Sequence, residues 1–159
     1  MTNKIIKPHS FGIWGNTDKP RFWELLGPIL KWAEQKKIIP FITTRIKDQL
    51  PKSFNYKVQV IESADDFQNI DFLLTLGGDG TMLSAARAVE HRKTPILGIH
   101  LGELGFLAKI TTDVMFDRLD MVADANYEIQ KRMVLKGQII NSKNPVSYTH
   151  LTLPTTPYV

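Results

Sequence analysis

No cysteine occurs among the 159 residues. That removes disulfide frameworks, thiolate nucleophiles and cysteine-ligated metals from consideration. No uninterrupted run of ~18 apolar residues is present, so nothing in the sequence reads as a membrane span. The opening residues, Met1 to Ile6, lack the long apolar stretch of a secretory signal. A cytoplasmic location is the expectation that fits these absences. No G-x-x-x-x-G-K-[ST] loop, dinucleotide G-x-G-x-x-G, H-E-x-x-H or G-x-S-x-G is found. The isolated histidines, His9, His91, His100 and His150, each read as surface residues rather than catalysts. What is present is the composition of one soluble domain with a core, 43% hydrophobic and 23% charged.

The net charge of +4 is unevenly spread, with 11 Lys and Arg against 4 Asp and Glu in residues 1–57. A basic half can attract nucleotides or nucleic acid. Here the charges are scattered and aromatics do not interleave with them as on a stacking platform, so a solvated surface is expected and no nucleic-acid partner.

The chain is organised around Asp71-Phe72-Leu73-Leu74-Thr75-Leu76-Gly77-Gly78-Asp79-Gly80-Thr81-Met82-Leu83. Phe72 to Leu76 has the length of a buried strand, and from Thr81 the apolar residues Met82, Leu83, Ala85, Ala86 and Val89 recur at helical spacing. Strand, glycine turn and helix place bare backbone N–H groups and a helix N-terminus against an anion. Glycine suits such a turn because a phosphate approaches closer than a Cβ allows, and because such turns often need φ > 0. A carboxylate inside the cradle repels phosphate and needs its own reason. Either Asp79 works on a hydroxyl or a metal beside the phosphate, or it is simply a helix N-cap.

Around this centre the sequence predicts strands at 11–15, 38–42, 56–61 and 95–99, with Pro40 suited to a strand start or an edge. A helix carries Phe22 to Ala33 on one face, with Gly27-Pro28 marking a kink or a late start. Shorter helical stretches are predicted at 46–50, 64–67 and 114–121. Strands alternating with helices imply βαβ units, a mostly parallel sheet, and a ligand site at the strands' carboxyl ends. Asp79 falls at one such end and His100 just after another. Residues 127–140 alternate in places and read as an extended, half-buried strand. From Asn141 the texture becomes rich in Thr and Pro, and Pro145, Pro154 and Pro157 discourage a central strand or helix. The expectation is an α/β domain over 1–126, a first strand of a cut-short second domain over 127–140, and a foreign tail over 141–159.

Gly77-Gly78-Asp79-Gly80-Thr81-Met82-Leu83 together with Leu97-Gly98-Ile99-His100-Leu101-Gly102-Glu103-Leu104-Gly105-Phe106-Leu107 closely resembles the NAD kinase family. The first stretch is shared with diacylglycerol and sphingosine kinases, and the second is far more specific. Gly15-Asn16 and Arg132-Met133-Val134-Leu135 also match, and the resemblance covers residues 10–140. His100 departs from the pattern, where the family usually has asparagine. The family's C-terminal β-rich domain has no counterpart after Ile140.

The resemblance implies a Rossmann-like, mostly parallel sheet with flanking helices, and transfer of ATP's terminal phosphoryl group to the 2′-hydroxyl of NAD's adenosine ribose. Asp79 would then be general base. Gly77, Gly78 and Gly80 would take the phosphates, and Thr81 would cap the helix or touch one. His100 lies in the second stretch, and Phe106 would pack against NAD or else be a core phenylalanine. No full carboxylate set for Mg²⁺ is visible, so the metal would arrive with the nucleotide. The partners are small nucleotides, without a membrane, and the parent protein is expected to be a homo-oligomer. The isolated chain is expected to have little or no activity. The competing readings are a lipid kinase of the same superfamily and a non-catalytic nucleotide-binding module.

Overall fold

The computed structural model describes the backbone of residues 6–102, 105–139 and 146–152, and side chains as far as residue 133. The chain forms two compact units, Met1–Glu128 and Ile129–Val159.

The first unit is built on β1 (Ser10–Gly15), β2 (Ile39–Thr43), β3 (Gln59–Ile61), β4 (Phe72–Gly77), β5 (Ile96–His100) and β6 (Ile110–Thr111). They lie in the order β3-β2-β1-β4-β5-β6 with every neighbouring pair parallel. This is the expected α/β sheet, with β1 and β4 at its centre. Side chains alternate across the strands and so divide the core. Phe11 and Ile13 of β1 and Phe72, Leu74 and Leu76 of β4 pack with α1 (Pro20–Lys36) and α4 (Met115–Ala123). Leu73 packs on the other side with Ala85 and Val89 of α3 (Asp79–Val89) and with Phe67 and Ile70. Phe11 stacks on Phe72, with centroids 5.3 Å apart, and meets Trp32 of α1 edge-on at 5.9 Å.

Two polar clasps tie this core together. Asp71 accepts from the N–H groups of His9 at 2.7 Å and Ser10 at 3.0 Å, aligning the starts of β1 and β4. Asp120 of α4 accepts from the Trp32 indole at 2.9 Å and pairs with Lys36 at 2.8 Å, joining α1 to α4. The Lys36 ammonium, helped by the indole, holds the Asp120 carboxyl below its ordinary range.

Several expectations are corrected. Helix α1 starts at Pro20 and runs through Pro28 without a late start; proline at the first helical position gives up an N–H that has no intrahelical partner anyway. Strand β2 is not an edge strand, but β3 comes alongside only from Phe41, so Pro40 sits at a strand start as its missing donor requires. The third strand is shorter than expected, and β6 was not foreseen. Helix α2 (Thr44–Lys47) starts earlier than the expected 46–50 and ends before it, while a 3-10 turn at Ala64–Asn69 covers the expected 64–67.

The second unit is an antiparallel pair, β7 (Val134–Ile139) and β8 (Val146–Thr152). The extended reading of 127–140 thus corresponds to a strand over its second half. Within the tail, where prolines argued against a strand, β8 fits between Pro145 and Pro154. Residues 140–145 and 153–159 lie outside the described residues, as do Glu103 and Leu104.

Candidate functional site

The site grows out of the carboxyl end of β4. Its last residue, Gly77, is buried and pairs with His100 of β5, and its carbonyl accepts from the Leu101 N–H at 3.2 Å. Gly78 then caps α3, with no side chain bonding the helix's first amides. Those amides keep the partial positive charge of a helix N-terminus. No described glycine has positive φ, so the expected left-handed turn is absent. The reason for glycine at 77 is steric: a Cβ there would run into the Thr81 hydroxyl and lie 2.6 Å from its Cβ. Gly78 and Gly80 have open space beside them, which leaves the backbone accessible to a ligand.

Asp79 is the first residue of α3 and not its N-cap. Its carboxylate turns instead to a loop 26 to 29 residues further on. Oδ2 accepts from the Phe106 N–H at 2.9 Å and Oδ1 from the Leu107 N–H at 3.0 Å. Partial burial works to raise its pKa, but the amides of Leu107, Phe106 and Ala108 together outweigh that and hold the carboxyl below its ordinary value. The site therefore carries a fixed negative charge at neutral pH.

His100 is buried at the end of β5, which corrects its reading as a surface residue. Its Nδ1 accepts from the Gly102 N–H at 3.1 Å, which places the proton of the neutral ring on Nε2. Phe106 is not a core residue: its side chain is 80% exposed on the loop that holds Asp79.

On the other side of the α3 N-terminus lies a cleft of about 840 Å³ along the ends of β1 to β4. Gly78, Gly80 and Thr81 line one wall, and Asn16, Lys19 and Arg45 contribute polar groups. Trp14 forms part of it, fixed by an indole hydrogen bond of 2.9 Å to Ser84 of α3. Arg45 is held by Asp18 at 3.2 Å in an exposed pair that an anion could displace. The structure thus groups Gly78, Gly80 and Thr81 at the cleft, with Asp79 and Phe106 on the loop side and Gly77 beneath. Lys19 and Arg45 were missed in the sequence. The available signal was position, since each follows closely on a strand's carboxyl end. Among the described residues, no cluster of three or more His, Asp or Glu could by itself hold a metal, and no helix is long and apolar enough to cross a membrane.

The family model described as the ATP-NAD kinase N-terminal domain matches residues 11–127. The chain is 36% identical over 142 residues to an NAD kinase of Moorella thermoacetica, covering 88% of this chain and 43% of that one. It is 32% identical over 127 residues to an NAD kinase of Geobacter metallireducens, covering 80% and 43% respectively. The crystal structure of yeast NADH kinase complexed with NADH superposes with a TM-score of 0.76 at 19% identity, over 91% of this chain and 47% of that one. At that identity the likeness establishes the fold. The chain spans under half the length of the curated relatives it matches.

Proposed function

The chain belongs to the NAD kinase family, and from that premise we propose that it carries the catalytic half of a phosphoryl transfer from ATP to the 2′-hydroxyl of the adenosine ribose of NAD, giving NADP. The observation that carries the reading is the setting of Asp79. A carboxylate kept ionised by backbone amides stands at a helix N-terminus that has no side-chain cap, between an open cleft and an exposed phenylalanine. A phosphate site alone has no use for that charge, whereas a hydroxyl needs an acceptor for its proton.

In this mechanism the donor occupies the cleft. Its phosphates meet the α3 N-terminus and the backbone of Gly77, Gly78 and Gly80, with the Thr81 hydroxyl beside them and Lys19 and Arg45 compensating their charge. The metal enters as part of the substrate, MgATP, which suits the described residues, among which no cluster of His, Asp or Glu could hold it alone. The dinucleotide takes the other side, its adenosine against Phe106, with His100 at the floor between. Asp79 accepts the hydrogen of the 2′-hydroxyl and takes up its proton as the bond from O2′ to the γ-phosphorus forms, the bond from the γ-phosphorus to the β–γ bridging oxygen breaks, and ADP leaves. Its lowered pKa means that no prior deprotonation is needed. A base of this kind contributes ~10²–10⁴-fold. Positioning and charge compensation supply most of the remainder.

The test is NADP formation from MgATP and NAD by a protein in which residues 1–140 precede the C-terminal portion of the Moorella relative. We expect NADP phosphorylated at the 2′ position, with little or none formed by the 159-residue chain alone. A folded chimaera that binds ATP yet phosphorylates no NAD would refute the assignment.

A further inference from the structure

The loop Gly105–Ala108 meets Asp79 with unusual closeness. Each carboxylate oxygen has its own backbone donor, Phe106 for Oδ2 and Leu107 for Oδ1, so the plane of the group is fixed as well as its place. Gly105 makes this approach possible. A Cβ there would stand 2.6 Å from the Asp79 carboxyl carbon and 2.8 Å from Oδ2. The loop is anchored on either side. Before it, Leu101 bonds Gly77 and Gly102 bonds His100. After it, Ala108 is 2% exposed and lies against Gly98 of β5. Each carboxylate oxygen has a second lone pair, so two amides fix the group without exhausting its capacity to accept.

We propose that the loop Gly105–Ala108 is a positioning element for Asp79: its amides aim the free lone pairs of the carboxylate, and the carboxylate in turn fixes where Phe106 stands. This deepens the reading of Asp79 as the working carboxylate and rests on it. The two partners of the reaction are thereby coupled. The amide that holds Oδ2 belongs to the residue whose exposed ring is offered to a ligand, so whatever settles on Phe106 acts on the alignment of the carboxylate. A stretch singled out in the sequence by its resemblance acquires a definite task, and Gly105 becomes a positioning residue that touches no substrate.

NMR on the 159-residue chain without nucleotide tests this. In the unmodified protein, the amide protons of Phe106 and Leu107 should titrate together with the Asp79 carboxyl carbon, at a midpoint below the usual carboxylate range. His100 is the other titratable group bearing on Asp79, and its ring signals are followed in the same titration. In Gly105→Ala the shared midpoint should move up toward the ordinary range. In Asp79→Ala the Phe106 and Leu107 amides should exchange with solvent about tenfold faster or more, while those of β4 and β5 keep their protection. Amides that do not follow the carboxyl titration in the unmodified protein would overturn the proposal. So would exchange unchanged in a folded Asp79→Ala, or a midpoint unmoved in a folded Gly105→Ala. None of these readouts uses a nucleotide, so a failure of phosphoryl transfer is distinguishable from a failure of the brace.

Discussion

Asp79→Asn lowers kcat for NADP formation by ~10²–10⁴-fold in the chimaera, the amount a positioned general base contributes. The amide is nearly the size of the carboxylate, so the start of α3 and the core beneath it are undisturbed. The fold should survive, as read by circular dichroism. Two things change at the site. The proton acceptor is lost, and one of the loop amides, Phe106 or Leu107, faces an NH₂ group where it had an oxygen. The second change loosens Phe106, so KM for NAD should rise along with the fall in kcat, while KM for ATP stays close to its original value. Near-normal turnover in Asp79→Asn would remove the base from the mechanism. A fall in kcat with both KM values untouched would keep the base and separate it from the loop.

Phe11→Ala costs about 3–5 kcal/mol of folding stability. Phe11 is 0% exposed, stacks on Phe72 and meets Trp32 edge-on, so one side chain joins β1, β4 and α1. The cavity left behind is flanked by large rings that cannot collapse into it. Urea denaturation of the original and variant chains measures the loss, which is a large part of the ~5–15 kcal/mol that holds a typical domain. A loss under about 1 kcal/mol would mean that this face of the sheet is not packed as described. The same strands deliver the site, for β1 ends at Gly15, next to Asn16, on the cleft and β4 ends at the glycine turn.

The central strands were legible because nothing else competes with them. Phe72 to Leu76 is apolar apart from Thr75, and β1 and β5 are also mostly apolar. Elements fixed by contacts rather than by their own pattern were not. Strand β6 has only Ile110 and Thr111 and exists because β5 lies beside it. Helix α1 continues through Pro28 because Leu25, Leu26, Ile29 and Leu30 on either side of the proline are all buried in the core. That a strand, a glycine turn and a helix meet at Gly77 to Thr81 was readable, but the conformation of Asp79 was not. Capping preference is a local tendency, and here it yields to a loop far along the chain that offers two amides. Lys19 and Arg45 escaped notice for a similar reason, since only the sheet order brings the ends of β1 and β2 to the cleft. For Phe106 the sequence leaves two readings open, packing against NAD or a place in the core, and its exposure is set by the loop's contacts with Asp79 and not by any local pattern.

Everything proposed for this chain depends on the α3 N-terminus being the place where a nucleotide's phosphates come to rest. The direct measurement is the movement of backbone amide signals when MgATP is added to the 159-residue chain. The largest shifts should fall on Gly78, Gly80 and Thr81, with smaller ones at Lys19 and Arg45 across the cleft. Shifts absent at millimolar MgATP, or confined to α4 and the face away from the strands' carboxyl ends, would contradict it.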